Sequence, residues 1–269
     1  MGERRRLGIL TSGGDCAGLN AVIRAAAKRA QAYGYEIYGI RSGTLGLMRR
    51  PVDAVELDPN ELDSALLRKG GTVLGSTNSN DPFHYVDGDG NRVDRAGEVA
   101  QGYHELGLDA LIGIGGDGSM AVLRKLARLG GWNVVGVPKT IDNDVGATEV
   151  SIGYASAVDI ATNALDNLQP TAASHNRVMV LEVMGRDAGH IALASGIAGG
   201  ADVILIPEIP YSIDAVARQI EAIRKSGRNF ALVVVAEAVQ TETGAPVRQQ
   251  HSGGGTTYGG IGHYIGGRI

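Results

Sequence analysis

The 269-residue sequence is poor in several features that would otherwise point to a class of function. It has one cysteine, Cys16, so an internal disulfide is impossible and a reducing, cytoplasmic compartment is expected. No apolar run approaches the ~18–20 residues of a membrane span, so we expect no membrane contact. The formal net charge of −4 gives no bulk attraction for nucleic acid, so an anionic ligand would need a local site.

Glycine, in contrast, is abundant, with 41 glycines against only two phenylalanines. The glycines follow apolar runs and show no collagen-like period, which favours turns where the backbone approaches other backbone or a ligand closely. The apolar runs are continuous rather than alternating, and helical patterns separate them, as in residues 6–40. This pattern predicts an α/β protein with parallel sheets covered on both faces, and two such sheets that divide near residues 150–155.

The predicted elements alternate along the chain. Apolar runs predict strands at residues 6–10, 36–40, 133–138, 177–185, 202–208 and 230–239, with a further strand that begins at 109. Periodic patterns predict helices at residues 19–34, 120–130, 151–168, 188–200 and 212–227. Ser212 is the expected N-cap of the last helix, and Gly34 and Gly130 are expected helix C-caps. The tail at 251–269 shows no clear period, and we interpret it as a Gly-rich connector that enters a new helix at its end.

Two Gly-rich turns follow predicted strands, at the position where an open parallel sheet binds its ligands. TSGGD at 11–15 would let backbone amides approach an anion, and GGDGS at 115–119 does the same and adds Asp117. A carboxylate beside a phosphate needs a cation between them, so Asp117 is a candidate Mg²⁺ ligand, directly or through water. An ordinary strand-to-helix turn is the alternative for TSGGD, and neither turn matches the P-loop or the complete dinucleotide fingerprint.

The segment GVPKTIDNDVG at 136–146 concentrates Lys139, Thr140, Asp142 and Asp144 after an apolar run. Two carboxylates two positions apart raise each other's proton affinity, which suits one of them to act as a general base. Thr140 could donate a hydrogen bond to a transferring phosphoryl group, and Lys139 could neutralise its charge. A loop with self-capped Asx turns is the alternative, and the DND sequence by itself favours that alternative.

Taken in order, the motifs of the chain resemble those of the phosphofructokinase family, and most closely the bacterial-type 6-phosphofructokinases. The resemblance covers essentially the whole chain and rests on TSGGDCAGLNAVIR, GTLGL, GGTVLGS, IGGDGS, PKTIDND, SHNRVMVLEVMGR, AGGAD and IPE. It implies two doubly wound, mainly parallel three-layer α/β/α domains. Residues 1–152 would bind the phosphoryl donor, and residues 153–269 would bind the sugar phosphate. Self-association as a homodimer or homotetramer is also implied.

The resemblance implies transfer of a phosphoryl group from ATP, with Mg²⁺, to the 1-hydroxyl of fructose 6-phosphate, a step of glycolysis. Asp142 would be the general base, Asp144 would support it, and Arg186 would stabilise charge in the transition state. The implied donor-binding residues are Gly13, Asn78, Asp117, Gly118, Ser119 and Lys139, with Asp117 on the metal. The implied substrate-binding residues are Thr140, Asp142, Asp144, Arg177, Met184, Gly185, Arg186 and Glu237.

The resemblance likewise implies that Thr140 would contact the transferring phosphoryl group. Other roles depend on the resemblance alone, and among these Met184 would line the sugar site. Arg177 would reach the sugar phosphate, in this family often across a subunit boundary. Without the resemblance, Arg177 and Arg186 would be interpreted as members of surface ion pairs, and Glu237 as a solvated strand end.

Two positions bear on the choice of donor. Family members that use pyrophosphate commonly carry an aspartate where this chain has Gly118, and the missing side chain leaves room for ATP. Lys139, in contrast, is typical of pyrophosphate users, although a group of bacterial ATP-using members combines the same glycine and lysine. We therefore expect ATP, with pyrophosphate as the alternative donor.

Two departures from the family pattern leave other interpretations open. Asn78 stands about where ATP-using members have an arginine, and it brings no charge. The family continues past residue 269 with a GHxQRGG-like segment, so we expect that this sequence is part of a longer chain. A non-catalytic sensing or assembly subunit of the same fold is therefore a second alternative. The related NAD and lipid kinases share a GGDG turn but do not account for PKTIDND together with VMGR.

Overall fold

The computed structural model describes residues 4–78, 81–250, 252 and 255–269. The chain divides into two compact units, Met1–Thr140 with Val145–Gly153, and Ile141–Asp144 with Tyr154–Ile269. The short segment that carries the DND sequence is thus grouped with the second unit. Among the helices in the described part of the chain, none combines the length and hydropathy that a membrane crossing requires.

The first unit is built on one six-stranded sheet. In chain order its helices and strands are β1 (Arg6–Thr11), α1 (Leu19–Ala32), β2 (Glu36–Ile40), α2 (Thr44–Met48), β3 (Ala54–Glu56), β4 (Tyr85–Val86), β5 (Arg92–Val93), α3 (Ala96–Glu105), β6 (Ala110–Gly115), α4 (Asp117–Gly130), β7 (Asn133–Thr140) and β8 (Ile152–Gly153). The sheet order is β3-β2-β1-β6-β7-β8, and β4 pairs separately with β5. Only the β2–β3 pair in the large sheet is antiparallel.

The centre of this sheet is buried on both faces. Ile9 and Leu10 are neighbours on β1, and neither side chain is exposed to solvent. Because successive strand residues point to opposite faces, full burial of both requires packed layers above and below the sheet. Continuous apolar strands of this kind are what a covered parallel sheet needs. The prediction of a mainly parallel α/β fold is confirmed.

The second unit contains a three-stranded parallel sheet in the order β10-β11-β9. Its helices and strands are α5 (Tyr154–His175), β9 (Val178–Val183), α6 (His190–Ala198), β10 (Val203–Leu205), α7 (Ile213–Lys225), β11 (Ala231–Ala236), β12 (Arg248–Gln250), β13 (Thr256–Tyr258) and α8 (Ile261–Gly266). All six residues of the central strand β11 are buried. The strands β12 and β13 form an antiparallel hairpin of their own.

Most predicted elements are present, and the helix signal at Ser212 is confirmed, since its hydroxyl oxygen accepts a hydrogen bond from Ala215 N at 3.2 Å. Several predicted boundaries are wrong. The strand predicted at 133–138 continues through Thr140, because Lys139 and Thr140 pair with β8. For the same reason residues 151–153 are not helical, and α5 begins at Tyr154; it ends at His175 rather than at 168. The end of β7 and the start of α5 are set by strand pairing over a distance, which local periodicity does not reveal.

Further corrections concern helix ends and the tail. The helix α4 begins at Asp117, three residues before the predicted start, and its left-handed C-terminal glycine is Gly131 rather than Gly130. The tail predicted as a connector that enters a helix does contain a helix, α8, and it also contains the unpredicted strand β13; residues 251 and 253–254 lie outside the described part of the chain. Ile261 and Ile265, four residues apart, are fully buried, which explains why α8 forms there.

Two separate glycine-to-alanine substitutions in α3 test the packing of α3 against α2. A methyl group on Gly102 would lie 2.1 Å from the backbone oxygen of Leu47, whereas one on Gly97 would meet nothing within 4 Å. We expect Gly102→Ala to lower the free energy of unfolding by about 1–3 kcal/mol because backbone must move. Gly97→Ala should leave it unchanged or raise it by up to about 1 kcal/mol. Urea unfolding of both variants measures this, and equal effects would contradict the packing.

Candidate active site

Three predicted donor-binding residues meet at the carboxyl-terminal edge of the first sheet. Gly13 follows β1 with φ +82°, and its backbone N donates a hydrogen bond to the Thr77 backbone oxygen at 3.1 Å. A methyl group built on Gly13 would lie 3.3 Å from Ser119 Oγ and 3.4 Å from Lys139 Nζ. A hydroxyl and an ammonium group are therefore placed beside this turn, which matches the needs of a phosphate group.

A cavity of about 270 Å³ adjoins the same turn. Its lining consists of Gly13, Gly14, Asp15, Thr72, Ser76, Thr77 and Asn78. The structure thus places Asn78 with Gly13, as predicted, although Asn78 contributes no charge to the cavity.

Buried polar side chains hold the loop at 69–77 that forms one wall of this cavity. Asn20, only 1% exposed, donates from Nδ2 to the Lys69 backbone oxygen at 2.8 Å and accepts from Val73 N at 2.8 Å. The Thr11 hydroxyl donates to the Gly75 backbone oxygen at 2.7 Å. Asn20 is absent from the residues predicted for the site, and the signal that could have found it is an amide inside the apolar face of α1.

Asp117 and Gly118 occupy the first two positions of α4. The Asp117 Oδ1 atom accepts a hydrogen bond from Gly118 N at 2.7 Å, and a methyl group on Gly118 would meet nothing within 4 Å. Space is therefore open beside Gly118. Within the described ranges, no group of three or more His, Cys, Asp or Glu side chains is arranged to hold a metal. A single carboxylate nevertheless suits Mg²⁺, which is usually held by one or two carboxylates together with substrate phosphates.

In the second unit, the DND segment lies next to the predicted transition-state arginine. An Arg186 guanidinium nitrogen is 3.7 Å from Asp144 Oδ2, and the two side chains are 58% and 26% exposed. Asp142 has its Oδ1 atom shielded from solvent. Arg186 and Asn143 both have positive φ angles, +54° and +55°. Non-glycine residues hold such angles where the surroundings fix them, which is common at functional sites.

The turn that carries Arg186 is fixed by Glu237. The Glu237 Oε1 atom accepts hydrogen bonds from Arg186 N at 2.8 Å and from Gly185 N at 3.1 Å. Gly185 is required here, since a methyl group would lie 2.3 Å from the Ala188 backbone oxygen. Met184 precedes it with 60% exposure. Glu237 is therefore not a solvated strand end, and its carboxylate orders the turn between β9 and α6.

Arg177 does not join this cluster within the unit. It lies before β9, whereas Met184, Gly185 and Arg186 follow the same strand. Six strand residues separate the two ends by roughly 20 Å. The two arginines that were predicted to contact the substrate therefore lie at opposite ends of β9.

Comparison with known proteins identifies the family. The chain matches the phosphofructokinase family model over residues 6–268. This chain belongs to the phosphofructokinase family. The family predicted from the ordered motifs is therefore confirmed.

Two cyanobacterial relatives are similar over nearly the whole chain. "ATP-dependent 6-phosphofructokinase 1" of Synechocystis sp. is 60% identical over 266 residues, which cover 98% of this chain and 73% of that protein. The protein of the same name from Nostoc sp. is 58% identical over 269 residues, or 100% of this chain and 75% of that protein.

Solved structures show the same fold. Pichia pastoris phosphofructokinase in the T-state matches with a TM-score of 0.79 at 31% identity, over 92% of this chain and 27% of that chain. A pyrophosphate-dependent phosphofructokinase from Marinobacter aquaeolei matches with a TM-score of 0.72 at 24% identity, over 88% of this chain and 62% of that chain. The two-sheet α/β architecture is thus that of the family.

Burial beside the donor turn also affects the one cysteine of this family member. Cys16 is 8% exposed, and its thiol donates a hydrogen bond to the Ile152 backbone oxygen at 3.4 Å. Burial raises the pKa of the Cys16 thiol, and the positive charge of Lys139 opposes this effect in part. The thiolate fraction near pH 8 is therefore smaller than that of an ordinary cysteine.

Cys16 should react slowly with a thiol reagent in the folded protein. At pH 8 we expect its rate with an aromatic disulfide reagent to be at least about tenfold below that of the same protein unfolded in urea, because the thiol is buried and mostly protonated. The rate should keep rising above pH 9, since the raised pKa delays ionisation. Stopped-flow absorbance measurements give both rates, and equal rates in the two states would contradict the buried location.

Proposed function

We propose that this chain catalyses the ATP-dependent phosphorylation of fructose 6-phosphate at its 1-hydroxyl, which yields fructose 1,6-bisphosphate. The observation that carries the proposal is 58–60% identity to two ATP-dependent 6-phosphofructokinases over 98–100% of this chain. The convergence of Gly13, Ser119 and Lys139 supports it, since a phosphoryl donor needs such a group of hydrogen-bond donors.

ATP is favoured over pyrophosphate because Gly118 leaves space open at the start of α4. An aspartate there would add a carboxylate where a nucleotide extends from the phosphates. Lys139 is 7% exposed and lies beside the Gly13 turn. Its ammonium group supplies a positive charge to the donor phosphates and compensates for the uncharged Asn78. Lys139 is also the feature that keeps pyrophosphate as the alternative donor.

In the reaction, Asp142 accepts the proton of the sugar 1-hydroxyl as the hydroxyl oxygen bonds to the γ-phosphorus of ATP. The bond from that phosphorus to the β,γ-bridging oxygen breaks, and ADP leaves. Thr140 donates a hydrogen bond to the transferring group, and Arg186 stabilises the negative charge that develops on it. Mg²⁺, when held by Asp117, would neutralise charge on the donor phosphates.

The orientation of Arg186 depends on two neighbouring carboxylates, those of Asp144 and Glu237. Asp144 lies within ion-pair distance of the guanidinium, and Glu237 fixes the backbone amides of the turn. Together they pre-orient the arginine, which lowers the cost of bringing it to the phosphoryl group. Met184 and Glu237 are the residues that we assign to the lining of the sugar site.

Arg177 acts on a different copy of the site. Because it lies at the far end of β9 from Arg186, it serves the sugar phosphate bound to a neighbouring subunit in a homodimer or homotetramer.

The enzyme acts in glycolysis in the cytoplasm.

The donor is tested with Gly118 variants in an assay coupled to fructose 1,6-bisphosphate formation, run with ATP and with pyrophosphate. The unmodified chain should use ATP at least about tenfold better than pyrophosphate. Gly118→Asp should lower kcat/KM for ATP by about 10- to 100-fold, because a carboxylate crowds and repels the polyphosphate. Gly118→Ala is the matched control and should retain most activity, since its methyl group has space. Activity with pyrophosphate only would contradict the proposal.

Asp142→Asn tests the general base. The amide cannot accept the hydroxyl proton, so kcat should fall by about 10²- to 10⁴-fold. The KM for ATP should change little, because Asp142 has no role in donor binding. Steady-state kinetics with both substrates varied measures this, and Asn163→Ala on the exposed surface of α5 serves as control. Full activity of Asp142→Asn would remove the residue from its assigned role.

A further inference from the structure

The turn between β9 and α6, residues 184–189, is held by side chains from three other parts of the second unit. Glu237, which follows β11, binds the Gly185 and Arg186 amides. Glu208, which follows β10, accepts a hydrogen bond from Gly189 N at 2.8 Å. The third contact comes from the hairpin of β12 and β13, and neither the sequence motifs nor the proposed mechanism accounts for it.

This third contact joins Tyr258 to Asp187. The Tyr258 hydroxyl donates a hydrogen bond to Asp187 Oδ1 at 2.6 Å, a short distance that is typical of a bond to a charged acceptor. The hydrogen bond is the largest cause of a raised pKa of Tyr258, followed by burial and the negative charge of Asp187. The phenol is therefore protonated and can act as the donor.

Tyr258 is held in place independently of its hydroxyl. Its ring lies 4.7 Å from the Arg248 guanidinium, on the residue directly opposite in the hairpin. Directly after it, the Glu182 carboxylate accepts hydrogen bonds from Gly260 N at 2.9 Å and from Gly262 N at 2.8 Å. These contacts connect the end of the hairpin to β9 and hold Tyr258 near Asp187 without using the phenol hydroxyl.

Asp187 is the neighbour of Arg186, which has a left-handed backbone conformation. Such a conformation is unfavourable for a non-glycine residue and persists where surrounding contacts determine it. Glu237 binds the backbone amides of Gly185 and Arg186. Tyr258 binds the side chain of the next residue, Asp187.

We propose that Tyr258 is a positioning residue for Arg186, acting through Asp187, and that the β12–β13 hairpin is thereby part of the phosphoryl-transfer machinery. The role of Arg186 rests on the proposed function, whereas the order that Tyr258 gives to the turn does not.

The test compares Tyr258→Phe, Asp187→Asn and the double variant in the full chain, with Tyr264→Phe on α8 as the matched control. Tyr258→Phe keeps the ring over Arg248 and removes only the hydroxyl. We expect kcat with ATP to fall about tenfold, because a small displacement of a catalytic group has a large effect on rate. The KM for fructose 6-phosphate should change by less than about threefold. The double variant should be no slower than the slower single variant, since both remove one interaction.

Hydrogen exchange of residues 184–189, followed by mass spectrometry, gives a readout independent of activity. Tyr258→Phe should speed exchange in this turn at least about threefold and leave α8 unchanged, which shows that the hairpin is still anchored. Tyr264→Phe should alter neither exchange in the turn nor kcat. Unchanged exchange in the turn, or additive kinetic effects in the double variant, would overturn the inference. If the unmodified chain fails to phosphorylate fructose 6-phosphate, the proposed function fails and the exchange result alone decides the positioning role.

Discussion

The parallel pairing of β6 with β1 on one side and β7 on the other is the constraint on which the donor site depends. It brings the carboxyl ends of three strands to one edge, so that segments distant in sequence supply Gly13, Ser119 and Lys139 to one place. None of these residues would bind a phosphate well alone. The sheet supplies their geometry, and full burial of Ile9 and Leu10 on opposite faces makes the sheet rigid.

The second unit uses carboxylates to order its backbone. Glu182, Glu208 and Glu237 each accept hydrogen bonds from main-chain amides beyond strand or helix ends. Such charge-assisted bonds satisfy amides that no strand or helix pairs, and they hold turns in conformations that the sequence disfavours. Arg186 benefits from this arrangement, because its left-handed backbone and its exposed guanidinium would otherwise be mobile. The arginine that we propose as catalytic is thus exposed, while hydrogen bonds hold the backbone that carries it.

The sequence left the role of Lys139 ambiguous between ATP and pyrophosphate as donor. Its burial supports the role that we propose for it. Keeping an ammonium group 7% exposed costs free energy unless negative charge compensates it. Donor phosphates at the Gly13 turn would supply that charge, and open space beside Gly118 admits a nucleotide. The roles proposed for the lysine and the glycine are therefore compatible, because the lysine would provide charge near the phosphates and the glycine would leave room for the nucleoside of ATP.

The amino-acid sequence was sufficient to establish the family, the parallel α/β class and the order of most elements, because continuous apolar runs and Gly-rich turns are local patterns. It also led to the proposed roles of Asp142, Asp144 and Arg186, which lie within recognisable motifs. Three-dimensional folding was needed to extend β7 through Thr140 and to join Tyr258 to Asp187. Asn20 and Glu182 gave a weak signal as polar residues in apolar runs. The others depend on pairing between distant segments, and local periodicity carries no information about which distant segment a residue will meet.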